Sequence, residues 1–395
     1  MYKIISNNLS DCKAINQIKE IDKVFNDNNI VIMPDFHSGK GCVVGTTMLI
    51  TDKVCVNHVG VDLNCGIAGY KIDKRYFDFT KEKLKELDEI IRKYIPSGLN
   101  INEKKSNFIP HNYEIKLNAS INKKALNRAY LSLGTLGGGN HFIEVDENEK
   151  FYYLFVHSGS RNLGLQVAKY WHNIALKKCN SKRNKEFEKI LQTVEPKKRE
   201  EFIKEYKKLN PTIPNDNAYL TDKDMELYLE DVKETKKFAE LNREIIIKTI
   251  LKYLNIPFTK NNYIECTHNY IDEMYKGLNI LRKGATSAKK GEKVIIPINM
   301  RDGVIIGIGK GNPGWNYSAP HGAGRILSRK QAKETLSLDE FKTTMEGIYT
   351  TSVCESTLDE SPMAYKPIEE ILSVIGDTIE IEEIAKPIYN FKAGE

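Results

Sequence analysis

Long apolar runs are missing from this sequence, and none reaches the roughly 18 residues that a membrane-spanning helix needs. The first residues, MYKIISNNLSDCK, also lack the apolar core of a signal peptide. These two absences predict a cytoplasmic protein with no membrane segment.

Cysteine is scarce and irregularly spaced. The seven cysteines form no CxxC pair, and their odd number argues against a disulfide framework as well as a zinc finger.

The excess of positive charge is small, because the formal net charge is +6 at pH 7. Such a balance favours a polyanionic partner without establishing one.

Two styles of sequence alternate along the 395 residues. Short apolar runs broken by glycine, typical of strands and tight turns, occur at 29–50, 54–70, 134–145, 151–164, 261–272 and 293–316. Apolar side chains at helical spacing predict a helix over 80–95. From about 173 to 250 the sequence is charged and helical, which we interpret as solvated helix faces, with a lid or an RNA platform as the alternative.

No internal repeat or low-complexity linker divides the chain. We therefore expect the glycine-rich segments to share one core, in a single α+β domain. The expected architecture is a set of stacked mixed β-sheets surrounded by helices, with the charged helical insertion at about 173–250.

The stretch VGVDLNCGIAGY places Asp62 and Cys65 three residues apart in a glycine-broken turn. A thiolate can bridge two cations, so this pair is a candidate metal site; a capping aspartate beside a structural thiol is the alternative. Four histidines, His141, His157, His268 and His321, each lie in or just after an apolar run next to glycine, serine or asparagine. One such histidine is usually structural, but several beside an Asp-x-x-Cys indicate a metal cluster, for which ligand chemistry alone favours zinc.

His321 lies on a turn between Pro320 and Gly322, with Arg325 close behind. It could be a metal ligand, a general base, or a nucleophile that accepts a phosphoryl or nucleotidyl group. Attack requires a neutral ring with one nitrogen free, and Asp35 is the candidate acceptor for the other. The glycine loops at 137–140 and 309–312 are either phosphate cradles or tight turns.

Six motifs in this order resemble the RtcB family of RNA-splicing ligases: VGVDLNCG, GGGNHFIEV, VHSGSRNLG, the His-Asn pair at 268–269, GKGNP and HGAGR. The resemblance implies a ligase that depends on GTP and Mn²⁺. Such an enzyme joins an RNA 3'-phosphate or 2',3'-cyclic phosphate end to a 5'-hydroxyl end through RNA-ppG. It further implies that His321 becomes guanylylated and that Asp35 orients it.

The same resemblance assigns residues to ligands. Two Mn²⁺ ions would be held, with Cys65 bridging, by Asp62, Cys65, His141, His157 and His268. The guanine nucleotide would be contacted by Asn140, His141, Phe142, Ile143, Glu144, His268, Asn269, Asn299, Met300, His321, Gly322, Ala323, Gly324, Tyr365 and Lys392. RNA or nucleotide phosphates would be gripped by Arg161, Arg325 and Lys310, although Lys310 could equally be a solvated surface residue.

The chain departs from the family at 297–303, where PINMRDG stands in place of the Pro-Gly-Ser-Met-Gly of the best-known members. Asp302 is the residue there that could still accept from guanine. A metal-dependent phosphohydrolase and a non-catalytic RNA-binding protein remain alternatives, and a monomer is the favoured state. Absence of guanylylation would favour the phosphohydrolase, and absence of metal binding the RNA-binding protein.

Overall fold

The computed structural model describes residues 2–6, 9–210, 212–273 and 278–393. Within these ranges the helices are α1 (Cys12–Phe25), α2 (Val56–Val59), α3 (Lys81–Tyr94), α4 (Lys123–Ser132), α5 (Arg161–Cys179), α6 (Ser181–Thr193), α7 (Arg199–Leu209), α8 (Asp222–Tyr253), α9 (Arg329–Thr335), α10 (Leu338–Thr344) and α11 (Ile368–Ile375). The strands are β1 (Tyr2–Ile4), β2 (Ile30–His37), β3 (Val44–Ile50), β4 (Lys53–Cys55), β5 (Gly66–Asp73), β6 (Phe142–Glu147), β7 (Phe151–Ser158), β8 (Tyr219–Thr221), β9 (Tyr263–Thr267), β10 (Asn269–Glu273), β11 (Asn279–Lys283), β12 (Ala285–Ser287), β13 (Lys293–Asn299), β14 (Gly303–Gly309), β15 (Ser318–Pro320), β16 (Tyr349–Thr350) and β17 (Ile379–Lys392). This mixture of helices and sheets confirms the predicted α+β class.

The largest sheet has the strand order β13-β14-β17-β6-β7-β5-β9, with β16 paired to β17. Its register explains how separate motifs meet. β5 is antiparallel to both β7 and β9, so Gly66 at the start of β5 faces Ser158 on one side and Thr267 on the other. The same end of these three strands therefore carries Cys65, His157 and His268.

A second sheet, β1-β2-β3-β11-β10, carries Asp35 on β2. The short pair β12-β15 sets Ala285 opposite Pro320, so that His321 follows directly after the end of β15. These two sheets place Asp35 and His321 beside the histidine-bearing edge of the large sheet. No helix in the described ranges is both long and apolar enough to cross a bilayer.

Helix α8 packs against the large sheet. Ile246, Ile247 and Ile250 belong to its apolar core cluster. The fully buried Arg243 donates to the carbonyl oxygens of Asn64 (3.0 Å), in the turn before β5, and Ser158 (2.6 Å), at the end of β7. Its guanidinium also pairs with the Glu265 carboxylate at 2.6 Å.

The helical region differs in character along its length. α5 already begins at Arg161, and α8 packs many buried residues into the core. α7 contains no buried residue. The helices between 161 and 253 are thus partly core and partly periphery, and the predicted insertion boundaries stay a prediction.

Arg243→Met should lower the free energy of unfolding by about 3 kcal/mol, because it leaves the partly buried Glu265 carboxylate without its cation and removes the hydrogen bonds to Asn64 and Ser158. Urea denaturation measures this change. Arg75 pairs with Asp73 at the surface, so Arg75→Met is the control and should leave the denaturation midpoint in place. An unchanged midpoint for both variants would contradict the importance of the buried pair.

Candidate metal and nucleotide site

A cleft of about 1100 Å³ opens where the two large sheets meet. It collects most of the residues that the sequence singled out. Those lining it are Asp62, Cys65, Asn140, Phe142, Glu144, His157, His268, Asn269, Asn299, Met300, His321, Gly322, Ala323, Gly324, Arg325, Tyr365 and Lys392.

Two groups of side chains at the base of the cleft could each hold a metal ion, and both contain Cys65. One group is Asp62, Cys65 and His141; the other is Cys65, His157 and His268. The Cys65 Sγ lies 3.4 Å from His141 Nε2 and 3.1 Å from His157 Nε2. His157 Nε2 and His268 Nε2 are 3.2 Å apart. This is the arrangement expected of ligands gathered around two neighbouring cations with a shared thiolate.

Backbone carbonyls fix the orientation of two of these rings. His141 Nδ1 donates to the Leu136 oxygen at 2.9 Å, and His157 Nδ1 donates to the Asn140 oxygen at 3.1 Å. Each Nε2 therefore keeps its lone pair, directed at Cys65. Such partners commonly select the tautomer of a metal-binding histidine.

The electrostatics of the cluster favour uncharged rings. Burial lowers the pKa of His157 and of His268 well below the ordinary imidazole value. Burial, together with Asp62, raises the pKa of the Cys65 thiol, so a bound cation would be needed to favour the thiolate. Burial alone would raise the pKa of Asp62 too, but the adjacent His141 and the Arg161 guanidinium keep that pKa below its usual range.

His321 stands next to this cluster, its ring 4.8 Å from that of His268 between centroids. Its Nδ1 donates to Asp35 Oδ2 at 2.7 Å, and its backbone N–H donates to the same oxygen at 3.2 Å. Asp35 is fully buried. The imidazole is thus held at one nitrogen, and Nε2 is left free.

Another part of the cleft wall is organised around Glu360, which sequence reasoning missed. This buried carboxylate pairs with Lys392 (2.7 Å) and Arg329 (2.7 Å), and accepts from Tyr365 Oη at 2.8 Å. Arg325 stacks over the Tyr365 ring at 4.9 Å. Burial would raise the pKa of Glu360, but Lys392 and then Arg329 lower it to about 2. The wall is therefore anchored by a permanent negative charge.

Lys366 is a second residue that sequence reasoning missed. Its buried Nζ donates to the carbonyl oxygens of Pro34 (3.0 Å) and Phe36 (3.1 Å), on either side of Asp35. The lysine thus fixes the backbone that presents the acceptor of His321. A lone lysine in MAYKPIEE gives no sequence signal for this role.

Several predicted residues lie outside the cleft lining. Asp35 lies beneath His321, and Ile143 is buried within β6. His141 and Arg161 line a smaller pocket of about 290 Å³ behind the cluster, where Arg161 Nη1 approaches His141 Nδ1 at 3.3 Å. Lys310 is exposed and donates to the Gly376 carbonyl.

The glycine loop at 309–312 is a packed strand end. Its N–H groups are used within the protein: Gly309 donates to Glu292, Lys310 to Thr378 and Gly311 to Ala288. This use favours the tight-turn interpretation over a phosphate cradle.

Asp302 is likewise engaged locally. It pairs with Arg301 at 2.8 Å and accepts from Asn299 Nδ2 at 2.7 Å. Among the described residues, those that line the cleft do not include Asp302.

Fold and site together define a class of α+β protein in which a buried thiol is shared by two potential metal groups beside an aspartate-backed histidine. A family model described as "tRNA-splicing ligase RtcB" matches residues 15–393, so the chain belongs to the RtcB family. The "RNA-splicing ligase RtcB" of Escherichia coli K12 is 29% identical over 382 residues, covering 89% of this chain and 87% of the relative. The "tRNA-splicing ligase RtcB" of Aeropyrum pernix is 25% identical over 426 residues, covering 87% and 83%.

Cys65→Ala should abolish metal binding at both candidate groups, because both contain this thiol, whereas His268→Ala should affect only the group that includes His268. Calorimetric titration with Mn²⁺ and metal analysis after desalting count the ions. Cys266→Ala removes another buried thiol and should retain both. Two ions bound to the Cys65 variant would contradict the shared ligand.

Proposed function

We propose that this protein is an RNA ligase that joins 3'-phosphate or 2',3'-cyclic phosphate ends to 5'-hydroxyl ends, using GTP and Mn²⁺. Membership of the RtcB family, with relatives named RNA-splicing and tRNA-splicing ligases, supports the RNA ligase activity. The single observation that carries the finer proposal is the pairing of His321 with Asp35 beside the metal-ligand cluster.

His321 has the properties of a nucleophile. Because the Asp35 carboxylate accepts from Nδ1 at 2.7 Å, the proton lies on Nδ1 and the lone pair on Nε2. Attack on a phosphorus atom makes the ring cationic, and the buried carboxylate stabilises that charge. Lys366 keeps the Asp35 backbone in place.

The donor set fits two borderline cations. Asp62, Cys65 and His141 would hold one, while Cys65, His157 and His268 would hold the other. When bound, such ions neutralise phosphate charge and act as Lewis acids. We propose Mn²⁺ as the physiological ion, following the family.

Three displacements complete the reaction. His321 Nε2 bonds to the α-phosphorus of GTP as the bond to the β-phosphate breaks and pyrophosphate leaves. An oxygen of the RNA 3'-phosphate then attacks that phosphorus, breaks the N–P bond and forms RNA-ppG. Finally the 5'-hydroxyl attacks the RNA phosphorus and expels GMP, its proton passing to solvent. A cyclic phosphate end is first opened by water.

The remaining cleft residues would bind the nucleotide and RNA. Glu144 and Lys392 lie on neighbouring strands with their side chains in the cleft, and Tyr365 offers a ring to the base. Asn140, Phe142, Asn269, Asn299, Met300 and the turn from Gly322 to Gly324 line the space between them. Arg325 and Arg161 supply cations on the two sides of the cluster for RNA phosphates.

Incubation with Mn²⁺ and GTP labelled at the α-phosphate should leave label on the wild-type chain after denaturing electrophoresis and none on His321→Ala. His172→Ala is a matched control, a half-buried histidine on α5, and should retain the label. No label on a wild-type protein that binds metal would overturn the GTP mechanism and favour the phosphohydrolase.

Asp35→Asn should slow guanylylation by about 100-fold or more, because an amide can donate to Nδ1 and move the proton to Nε2, the attacking atom. Single-turnover labelling measures the rate. Unchanged GTP affinity would show that the pocket is intact, while a wild-type rate would remove Asp35 from the mechanism.

A further inference from the structure

The excess positive charge of this protein is confined to one appendage. Residues 177–209, which we name the basic arm, contain twelve Lys and Arg against six Asp and Glu. This excess equals the formal net charge of the whole chain, +6 at pH 7. The rest of the chain therefore carries equal numbers of basic and acidic side chains.

The basic arm consists of the last turn of α5 and a helical hairpin formed by α6 and α7. Phe187 packs against Phe202 and Tyr206, with ring centroids 6.2 Å and 5.0 Å away. Arg183, near the start of α6, lies over the Tyr206 ring at 5.8 Å and donates to the Asn210 carbonyl at 2.7 Å. The start of α6 is therefore beside the end of α7, and the helices are antiparallel.

Positive charge is densest at the base of this hairpin. Residues 177–185 contain five Lys and Arg but no Asp or Glu. Arg183, two residues before Lys185, lies over the ring of Tyr206, which directly precedes Lys207 and Lys208. These three lysines and Lys177 are exposed, and none has a hydrogen-bond or ion-pair partner among the residues that the structure describes.

Helix electrostatics explain only part of this cluster. Lys177 lies in the last turn of α5, and Lys207 and Lys208 in the last turn of α7, where cations stabilise the helix dipole. That effect does not account for Lys185, in the first half of α6. It also does not account for the run of cations at 177–185, in which Lys178 is paired with the Asp224 carboxylate at 2.5 Å.

We propose that the basic arm binds the sugar-phosphate backbone of the RNA substrate outside the cleft, an inference that rests on the proposed RNA ligase function. Helix α5 connects the two places: Arg161 contacts His141 at one end, and Lys177 lies near the other. At 1.5 Å per residue Lys177 is about 25 Å from the ligand cluster along the helix. Stacked nucleotides at about 3.4 Å cover this distance in about seven residues.

The arm therefore binds RNA several nucleotides from the ends being joined. Lysine contacts to phosphates carry no sequence information, so the arm increases affinity for long RNA of any sequence. An RNA that ends within a few nucleotides of the reacting phosphate does not reach it.

The test uses the full chain with Lys177, Lys185, Lys207 and Lys208 all changed to Gln. Its control changes Lys19, Lys81, Lys85 and Lys150 to Gln, four exposed lysines outside the arm, with the same loss of charge. Affinity is measured without GTP for a 4-nucleotide and a 30-nucleotide RNA carrying 3'-phosphates, over a range of salt concentrations. His321 labelling with GTP reports whether each variant is folded.

We expect the arm variant to bind the long RNA about tenfold or more weakly, with a salt slope reduced by about 2 to 3. Its affinity for the short RNA and its His321 labelling should be unchanged, and the control should behave like the wild type. Equal losses of affinity in both variants, or equal losses for both RNAs, would contradict RNA binding by the basic arm. A wild-type protein that neither binds nor ligates RNA would instead overturn the proposed function.

Discussion

The arrangement of the ligand cluster depends on one buried cation. The Arg243 guanidinium, carried by α8, bonds at once to the Asn64 carbonyl, the Ser158 carbonyl and the Glu265 carboxylate. Asn64 precedes Cys65, and Ser158 follows His157. A buried charge has no water to replace a lost partner, so all three segments must stay where the guanidinium can reach them. The spacing of the metal ligands is thereby tied to the packing of a helix that contributes no ligand.

Features encoded locally could be predicted from the sequence. Asp62 and Cys65 share one turn, so their three-residue spacing already indicated a joint site. Leu84, Leu87 and Ile91 are buried on α3 as helical periodicity predicts. The order of the glycine-broken apolar runs was enough for the α+β class, because strands and charged helices have different periodicities.

Features that depend on distant partners could not be predicted in this way. Glu360 meets Lys392, Lys366 reaches the backbone around Asp35, and Arg243 lies in a helix whose sequence reads as a solvated face. Each side chain is ordinary in its own segment and acquires its role only from the fold. The loop from Gly309 to Gly311 gives a local signal whose meaning depends on the fold. Its glycines indicate that other atoms approach the backbone closely, but the sequence does not identify those atoms. There the approaching atoms belong to the backbone at 288–290.

Strand β17 comes late in the chain yet lies in the middle of the large sheet, between β14 and β6. It also brings Lys392 to Glu360. During synthesis, β6 and β14 are made before β17, so they cannot form part of one sheet until β17 is present. A nascent chain that ends before β17 therefore has the thiol and the histidines, but it has neither a continuous large sheet nor the lysine that pairs with Glu360. The cleft is therefore complete only after β17 has been synthesised and has paired with β14 and β6.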